Sequence, residues 1–334
     1  IVAIDEKGQK KAVFTGDTLF IGDCGRPDLR EKAGAITATR EELAKQMFHS
    51  LHEKLMTLPD DVLVYPAHGA GSLCGKALSD QNSSSIGAEK QGNWSLKNSS
   101  EADFVKEILA DQPFVPAYFP YDVEINKTGA TPYKNSIAAV EKTLYDGKEA
   151  TLDPSVLIID TRSQQQFKTA HLKNAVNLME DTKFETWLGS IIKPKEPFYL
   201  IAGNESTLNK MIERSAKIGY ETQIKRAFVS NSGNEKMKLL QAQELDKNEN
   251  AFTILDVRSK NEVETAKFFR NSIHIPLNEL RDRIKEIPLT KPIVVHCAGG
   301  YRSAAASSLI KTHLGNSIEV FDLGENINFF TKRN

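Results

Sequence analysis

Runs of three or four apolar residues, each the length of a short strand, recur along the last two thirds of the chain. Residues 156–159 and 293–295 are two such runs, and polar turns or segments with helical spacing separate each run from the next. Strands that alternate with helices in this way predict α/β domains with parallel sheets. No apolar run approaches the length of a membrane span.

This pattern occurs twice. The corresponding segments are 156–163 and 252–259, 175–178 and 273–277, 198–201 and 293–296, and 208–218 and 303–314. A glycine suited to end a helix, Gly219 or Gly315, follows each of the last two segments. We therefore predict two tandem copies of one α/β domain, over residues 131–236 and 237–334. The polar segment 232–250 is expected to connect them and to contain the first helix of the second copy.

The first 130 residues have a different pattern. Their predicted elements are a hairpin (1–4 and 12–14), a helix (41–58), a strand (62–65), a surface loop (79–100), a short helix (102–109) and a Pro-containing linker (113–132). Because the chain starts inside a hairpin, we expect the rest of this domain to precede Ile1. Residues 1–130 are thus predicted to be the C-terminal part of one domain with its linker.

Cys297 directly follows the apolar strand 293–296 and precedes a helix expected to begin at Ser303. Ligand sites in α/β sheets gather at this end of the strands. The turn is nearly free of side chains, so that its N–H groups can surround an anion, and Arg302 adds positive charge. These features predict a nucleophile rather than the alternative, a buried core thiol. The turn residues expected to contact a bound sulfur are Ala298, Gly299, Gly300 and Tyr301.

The segment from Cys297 to Arg302 resembles the active-site loop of the rhodanese family, in which four residues separate the cysteine from the arginine. Related phosphatases have five residues there, and that wider loop suits phosphate. Asp256, Arg258 and His274 lie in further segments that carry the resemblance through the second copy. It implies a persulfide on Cys297, formed from a sulfur donor and passed to a thiol, sulfite or cyanide. Arg302 and the loop amides would stabilise the negative charge on sulfur.

The first copy lacks this chemistry. Its corresponding loop is 202–207, and no cysteine lies between Cys74 and Cys297. Glu205 would repel a thiolate, and Ser206 has no base near it in the sequence. We predict a rhodanese-like domain without activity, useful for packing or positioning.

Asp17 and His68 each follow a predicted strand in the N-terminal segment. A carboxylate and an imidazole on neighbouring strand ends suit a divalent metal. From spacing alone, an ordinary turn aspartate and a polar loop histidine are the more frequent outcome.

Residues 14–29 and 66–76 are similar to metallo-β-lactamase-fold persulfide dioxygenases of the form fused to rhodanese domains. In that family two histidines and one aspartate hold one Fe(II), which leaves positions for persulfide and O₂. The resemblance puts Asp17 at the aspartate ligand. It puts His68 at the last histidine of the fold, a ligand in two-metal members that lies only near the iron in dioxygenases.

Arg26, with Cys24, falls where that family contacts the thiol substrate. The family's His-x-His motif and its next histidine ligand do not occur in this sequence. We expect most of the iron ligands upstream of Ile1.

The chain has 334 residues, a net charge of −1 and three widely spaced cysteines. This charge favours neither nucleic acid nor a membrane surface as a partner, and the cysteines fit a reducing cytoplasm. We expect a cytoplasmic homo-oligomer.

The predicted fold class is α/β: the C-terminal part of a metallo-β-lactamase αββα sandwich, then two rhodanese-like domains with parallel sheets. The predicted function is oxidation of a low-molecular-weight persulfide to sulfite by iron and O₂, coupled to sulfur transfer from Cys297 to sulfite, which gives thiosulfate. The alternatives are a metallo-hydrolase of the glyoxalase II type with rhodanese domains, and a non-enzymatic sulfur-relay or docking module.

Overall fold

In the computed structural model the chain divides after Val115 into two units, Ile1–Val115 and Pro116–Asn334. The structure describes residues 1–31, 38–70, 74–75, 78–97, 100–110, 112–144 and 152–331. Among the helices described, none combines the length and the apolar composition that a bilayer crossing requires.

The N-terminal unit contains short strands and helices. Its strands are β1 (Val2–Ile4), β2 (Lys10–Gly16), β3 (Leu19–Phe20), β4 (Asp23–Cys24), β5 (Leu63–Pro66) and β6 (Ser84–Ser85). Its helices are α1 (Arg40–His49), which continues as a π-helical turn (Ser50–Leu55), α2 (Ile86–Gly92), α3 (Trp94–Lys97) and α4 (Glu101–Leu109), with a 3₁₀ turn at Pro27–Arg30. One sheet has the order β1-β2-β5-β6. The predicted hairpin β1–β2 is confirmed, and β2 pairs with β5 in parallel.

Alternation along β2 and β5 separates two faces of this sheet. Val13 and Val64 point into a core of buried side chains that also includes Phe104. On the opposite face, Phe14 and Tyr65 lie side by side, with ring centroids 5.6 Å apart, and both are exposed. The helices therefore cover one face, and both strands end at the edge where Asp17 and His68 follow.

The surface loop predicted over 79–100 is wrong for much of its length, because α2 and α3 lie there. Ser85 caps α2. Asn93, which is fully buried, donates hydrogen bonds to the carbonyl oxygens of Phe20 and Asp23 at 3.1 and 2.9 Å. The polar composition indicated a loop, whereas buried polar side chains and their hydrogen bonds stabilise this segment.

The first copy lies in the second unit. Its strands are β7 (Lys142–Leu144), β8 (Leu157–Asp160), β9 (Ala175–Asn177), β10 (Phe198–Ala202) and β11 (Ile224–Val229). Helices α5 (Tyr118–Thr128) and α6 (Tyr133–Ala138) precede them, and α7 (Gln164–Thr169), α8 (Phe184–Ile191), α9 (Glu205–Ala216) and a 3₁₀ turn (Glu221–Gln223) connect them. The strand order is β7-β11-β10-β8-β9, and each pairing is parallel.

The second copy follows in the same unit. Its strands are β12 (Thr253–Asp256), β13 (Ile273–His274), β14 (Ile293–His296) and β15 (Val320–Asp322). Its helices are α10 (Ala242–Lys247), α11 (Lys260–Thr265), α12 (Leu280–Arg283), α13 (Tyr301–Leu314) and α14 (Asn328–Thr331), with 3₁₀ turns at Glu249–Ala251, Ile284–Glu286 and Gly324–Ile327. The strand order β13-β12-β14-β15 is again parallel. The predicted parallel sheets are confirmed in both copies.

Burial explains why these strands read as short apolar runs. All residues of β10 and β14 are buried, as expected for a parallel sheet covered on both faces. Gly219 and Gly315 have positive φ angles of 66° and 59° just beyond α9 and α13. Their predicted role as helix stops is confirmed.

The linker predicted over 113–132 contains helix α5 instead. Tyr118 and Tyr121 of this helix contact Tyr220 of the first copy ring to ring, and the Tyr121 hydroxyl donates to the Gly219 carbonyl at 3.4 Å. Prolines near its ends made the segment look like a linker, but its aromatic residues pack on the domain that follows. Helix α5 thus belongs to the second unit rather than to the N-terminal unit.

Helix α5 should depend on a close contact with α8. A methyl group on Gly189 would overlap the ring of Tyr118, which is itself buried. We expect Gly189→Ala to lower the free energy of unfolding by about 1–2 kcal/mol, because the strain outweighs the higher helix propensity of alanine. Thermal unfolding measures it. The matched control is Gly92→Ala in α2, where no atom lies within 4 Å of the added methyl group. Equal melting temperatures for the two variants would contradict this packing.

Candidate active site

Cys297 lies directly after β14, at the base of the loop that leads into α13. Its side chain is buried, and its Sγ accepts a hydrogen bond from the Gly300 N–H at 3.1 Å. Gly300 has a φ of 101° and is the N-cap of α13. A residue with a Cβ rarely adopts this conformation, so that the glycine is what turns the N–H toward the sulfur. This contact is to the thiol of Cys297 itself, and the contacts expected from Ala298, Gly299, Gly300 and Tyr301 to a bound sulfur remain a prediction.

Helix α13 begins at Tyr301, earlier than the expected start at Ser303. The N-cap is the left-handed Gly300, which directly precedes the first helical residue. Ser303 is buried and its hydroxyl donates to the Gly300 carbonyl at 3.1 Å. Arg302 therefore lies in the first turn of the helix rather than in the loop.

Arg302 is not a free positive charge. Its guanidinium donates two hydrogen bonds, both 2.6 Å, to the two carboxylate oxygens of Glu262. Burial alone would raise the pKa of Glu262, but the hydrogen bonds and charge of Arg302 outweigh it and lower the pKa to about 2. The stabilisation of a sulfur anion by Arg302 remains a prediction. The carboxylate of Glu262 neutralises much of the Arg302 charge.

Sequence reasoning missed Glu262, although the repeat contains a signal for it. Both copies begin a helix with a capping box, Ser259 with Glu262 in α11 and Ser163 with Gln166 in α7. The box carries a carboxylate only in the copy that has the arginine. Since glutamine caps a helix equally well, the difference points to Arg302 as the reason for glutamate.

A buried ion pair lies at the base of the site. Arg258 binds the Asp256 carboxylate, with Nη2 and Oδ2 2.6 Å apart, and its guanidinium lies 3.8 Å from the ring centroid of Phe268. His296 is fully buried, with its ring 5.0 Å from that of Phe269, and burial lowers the pKa of His296 to about 4. The neighbours of Cys297 on the sheet are therefore an uncharged imidazole and an ion pair with no net charge.

In the first copy, the place of Cys297 is taken by Ala202. One residue separates Ala202 from Asn204, the N-cap of α9, whereas two separate Cys297 from Gly300. The Asn204 side chain accepts from the Thr207 N–H at 2.8 Å, which supplies the cap from a side chain. This shorter loop has neither the thiol nor the left-handed glycine that directs an N–H to it.

Asp17 and His68 lie together, as the pattern of strand ends predicted. Asp17 Oδ1 is 3.3 Å from His68 Nε2, and the imidazole lies 4.8 Å from the ring of Phe20. Nδ1 of His68 is buried without a hydrogen-bond partner among the described residues. Within that part of the chain, no group of three or more His, Cys, Asp or Glu side chains is arranged for a metal ion.

Arg26 is also buried in the N-terminal unit. Its Nη2 lies 2.6 Å from Asp28 Oδ2 and also donates to the Pro113 carbonyl. Its guanidinium is thus engaged within the N-terminal unit. Its role as a substrate anchor remains a prediction.

The protein-family model of the rhodanese-like domain matches residues 143–236 and 238–326 of the sequence, which together make up more than half of the chain. The chain belongs to the rhodanese-like family. Its two copies are rhodanese-like domains, the first without cysteine and the second with Cys297.

Curated relatives match a short part of the chain. The mitochondrial persulfide dioxygenase ETHE1 of Homo sapiens is 47% identical over 55 residues, 16% of this chain and 18% of its own. A hydroxyacylglutathione hydrolase of Tolumonas auensis is 49% identical over 57 residues, 17% of each chain. The rhodanese-like chain thus spans less than a fifth of the length of these relatives.

A solved structure extends the comparison. The metallo-beta-lactamase from Staphylococcus aureus subsp. aureus COL is 32% identical, with a TM-score of 0.56 over 66% of this chain and 60% of that chain. The predicted fold class is confirmed: a metallo-β-lactamase-like N-terminal portion is joined to two rhodanese-like domains.

Replacing Glu262 by glutamine should keep the α11 cap and break the pair with Arg302. Because the folded-state pKa of Glu262 is lowered, its contribution to stability is fully present above pH 4.5, the ordinary value, and is lost as the pH falls toward 2. The whole shift is equivalent to about 3 kcal/mol, and solvent screening of a side chain that is 37% exposed leaves about 1–2 kcal/mol.

Urea unfolding of wild type and Glu262→Gln between pH 7 and pH 3 measures this difference, which should narrow as the pH falls. Glu264→Gln in the same helix is the control, since its pair with Lys260 is exposed. A difference that stays constant with pH would show that the pair does not lower the pKa of Glu262.

Proposed function

We propose that the chain is a sulfurtransferase in which Cys297 carries one sulfane sulfur. The observation that carries the proposal is the hydrogen bond from the left-handed Gly300 N–H to the Cys297 Sγ. Backbone N–H groups that converge on one atom stabilise negative charge there, and a thiolate and a terminal persulfide sulfur both carry such charge. The four-residue spacing to Arg302 supports a loop sized for sulfur.

Transfer takes two displacements. In the first, the Cys297 thiolate attacks the outer sulfur of a persulfide RSS⁻, a new S–S bond forms at Cys297, and the old S–S bond breaks to release RS⁻. In the second, sulfite attacks the outer sulfur on Cys297, which gives thiosulfate and returns the thiolate. No external oxidant or reductant is required, since sulfur moves from one thiolate to another and then to sulfite.

Burial defines what the loop contributes to these steps. Cys297 is 1% exposed, so that the attacking and leaving groups reach its sulfur from the loop side. Gly299 and Ala298 are exposed on that side, and no atom lies within 4 Å of a Cβ placed on Gly299. The path to the Cys297 sulfur on this side is bounded by backbone rather than by side chains. A small dianion such as sulfite fits such a path.

The sulfite acceptor suggests a role for the N-terminal unit. The similarity to persulfide dioxygenases over this portion supports a second activity: RSSH, O₂ and H₂O give RSH, sulfite and two protons. One activity then makes the acceptor that the other consumes. The substrates are a low-molecular-weight thiol persulfide, O₂ and sulfite.

Asp17 is the residue that would contribute a carboxylate ligand to an Fe(II) site, and His68 would lie beside the iron. Iron bound by histidines and one carboxylate supplies activation of O₂ in non-haem oxygenases. Asp17 Oδ1 lies 3.3 Å from His68 Nε2, so that one carboxylate is present and the further ligands would have to come from other residues. The same residues suit the two-metal site of the hydrolase alternative, and the similarity to hydroxyacylglutathione hydrolases supports that alternative.

Replacing Cys297 by serine should abolish transfer, because a hydroxyl is a far weaker nucleophile toward sulfur. We expect thiosulfate formation from a thiol persulfide and sulfite to fall by at least about 100-fold. Mass spectrometry should find one extra sulfur atom on the Cys297 peptide of the wild type alone. Cys74→Ser is the control. Thiosulfate formation unchanged in Cys297→Ser would leave a non-enzymatic relay or docking role.

The metal content of the full-length protein separates the dioxygenase from the hydrolase. We expect one iron per chain by elemental analysis, and loss of that iron in Asp17→Asn. Asp60→Asn is the control, because Asp60 lies on the surface and pairs with Lys90. Two metals per chain would favour the hydrolase, and full metal content in Asp17→Asn would contradict the role given to Asp17.

A further inference from the structure

Two glycines with left-handed backbones meet beside the Cys297 loop. Gly300 caps α13, and Gly324, with a φ of 55°, follows β15. A Cβ placed on Gly300 would lie 3.2 Å from the Gly324 carbonyl carbon and 3.2 Å from Nε2 of Gln164. One placed on Gly324 would lie 2.9 Å from Oε1 of Gln164. A side chain of the Cys-less domain therefore packs against both glycines.

Lys168 lies on the same face of α7, one turn after Gln164. Its Nζ forms an ion pair with Asp322 Oδ2 at 2.7 Å and donates to Gln164 Oε1 at 3.1 Å. The side chain of Lys168 is 12% exposed and that of Asp322 is fully buried. Asp322 Oδ1 in turn accepts the Gly324 N–H at 2.9 Å. This pair joins the Cys-less domain to the turn that packs on Gly300.

The same two helix positions behave differently in the Cys297 domain. Helices α7 and α11 have matching capping boxes, so that Gln164 and Lys168 correspond to Lys260 and Glu264. Those two residues are 77% and 61% exposed and pair only with each other, at 3.6 Å, among the contacts described for them. The burial of Lys168 is thus not a property of the helix but of the contact between the domains.

A further contact connects the domains on the helix side of the loop. The Tyr301 hydroxyl donates to the Met179 carbonyl at 3.0 Å, and Met179 Sδ accepts the Gln164 N–H at 3.2 Å. Gln164 therefore links Tyr301, next to Gly300 in the chain, to the two glycines. The only route by which these contacts reach the sulfur is the Gly300 N–H, 3.1 Å from Sγ, among the hydrogen bonds described for Cys297.

From this arrangement we propose that Lys168 and Gln164 of the Cys-less domain are positioning residues for sulfur transfer at Cys297. They fix Gly300, and Gly300 directs its N–H at the sulfur. The proposal rests on the proposed transfer function. It gives a specific role to the Cys-less domain, because side chains of that domain pack against the Cys297 loop and hold Gly300 in place.

Replacing Lys168 by methionine tests this in the full-length protein. We expect kcat for thiosulfate formation from a thiol persulfide and sulfite to fall about 10-fold, because loosening the loop misplaces a hydrogen-bond donor. KM for the persulfide should change less than about twofold, since the approach to the sulfur is unchanged. Lys168→Arg, which can still pair with Asp322, should restore most of kcat. The control is Lys210→Met in the same domain, whose pair with Glu180 is exposed.

Wild-type kcat in a folded Lys168→Met variant would overturn the proposal, as would failure of the arginine variant to recover activity. If Lys168→Met does not fold, Gln164→Ala is the variant that tests the proposal. It removes the contacts to both glycines and leaves the Lys168–Asp322 ion pair intact. A lowered kcat there supports the proposal, and a wild-type kcat overturns it. Equal activity of wild type and Cys297→Ser would instead show that the transfer function itself is wrong.

Discussion

Gly300 has a left-handed backbone conformation that residues with a Cβ rarely adopt. The geometry of the Cys297 site depends on this conformation. With φ at 101°, the residue turns its N–H back toward Cys297 Sγ and starts α13 at the next residue. That start places Arg302 in the first helical turn, where it meets Glu262. The hydrogen bond to sulfur and the ion pair beside it are thus two consequences of one backbone turn.

Duplication explains how the surroundings of this turn are divided between two domains. Both domains keep the aspartate–arginine pair at the end of their first central strand, Asp160 with Arg162 and Asp256 with Arg258. They differ in one residue of the capping box and in the loop that follows the matching strands β10 and β14. The Cys-less domain has Gln166 in its capping box and a shorter loop after Ala202, and the side chains of α7 are turned toward the other domain. One copy carries Cys297, and the other contributes buried contacts around its loop.

Charge around Cys297 is balanced within short distances. Arg302 pairs with Glu262, Lys168 with Asp322 and Arg258 with Asp256, and the imidazole of His296 is kept neutral by burial. Isolated charges at such depth would be costly to desolvate. Backbone N–H groups avoid that cost, because they carry partial charge without needing a counter-ion. This favours a site that stabilises a sulfur anion through its loop, with the ion pairs serving to keep the loop in place.

The sequence alone determined the parallel sheets, the duplication, the position of Cys297 at the end of a strand and the meeting of Asp17 with His68. It could do so because strand periodicity and strand ends depend on neighbouring residues. It misassigned α2, α3 and α5, where buried polar or aromatic side chains pack against distant segments, as Asn93 and Tyr118 do. It also missed Glu262 and Lys168. Each becomes meaningful only when the fold brings together residues 40 or more positions apart, such as Glu262 with Arg302, and no local pattern encodes a distance of that kind.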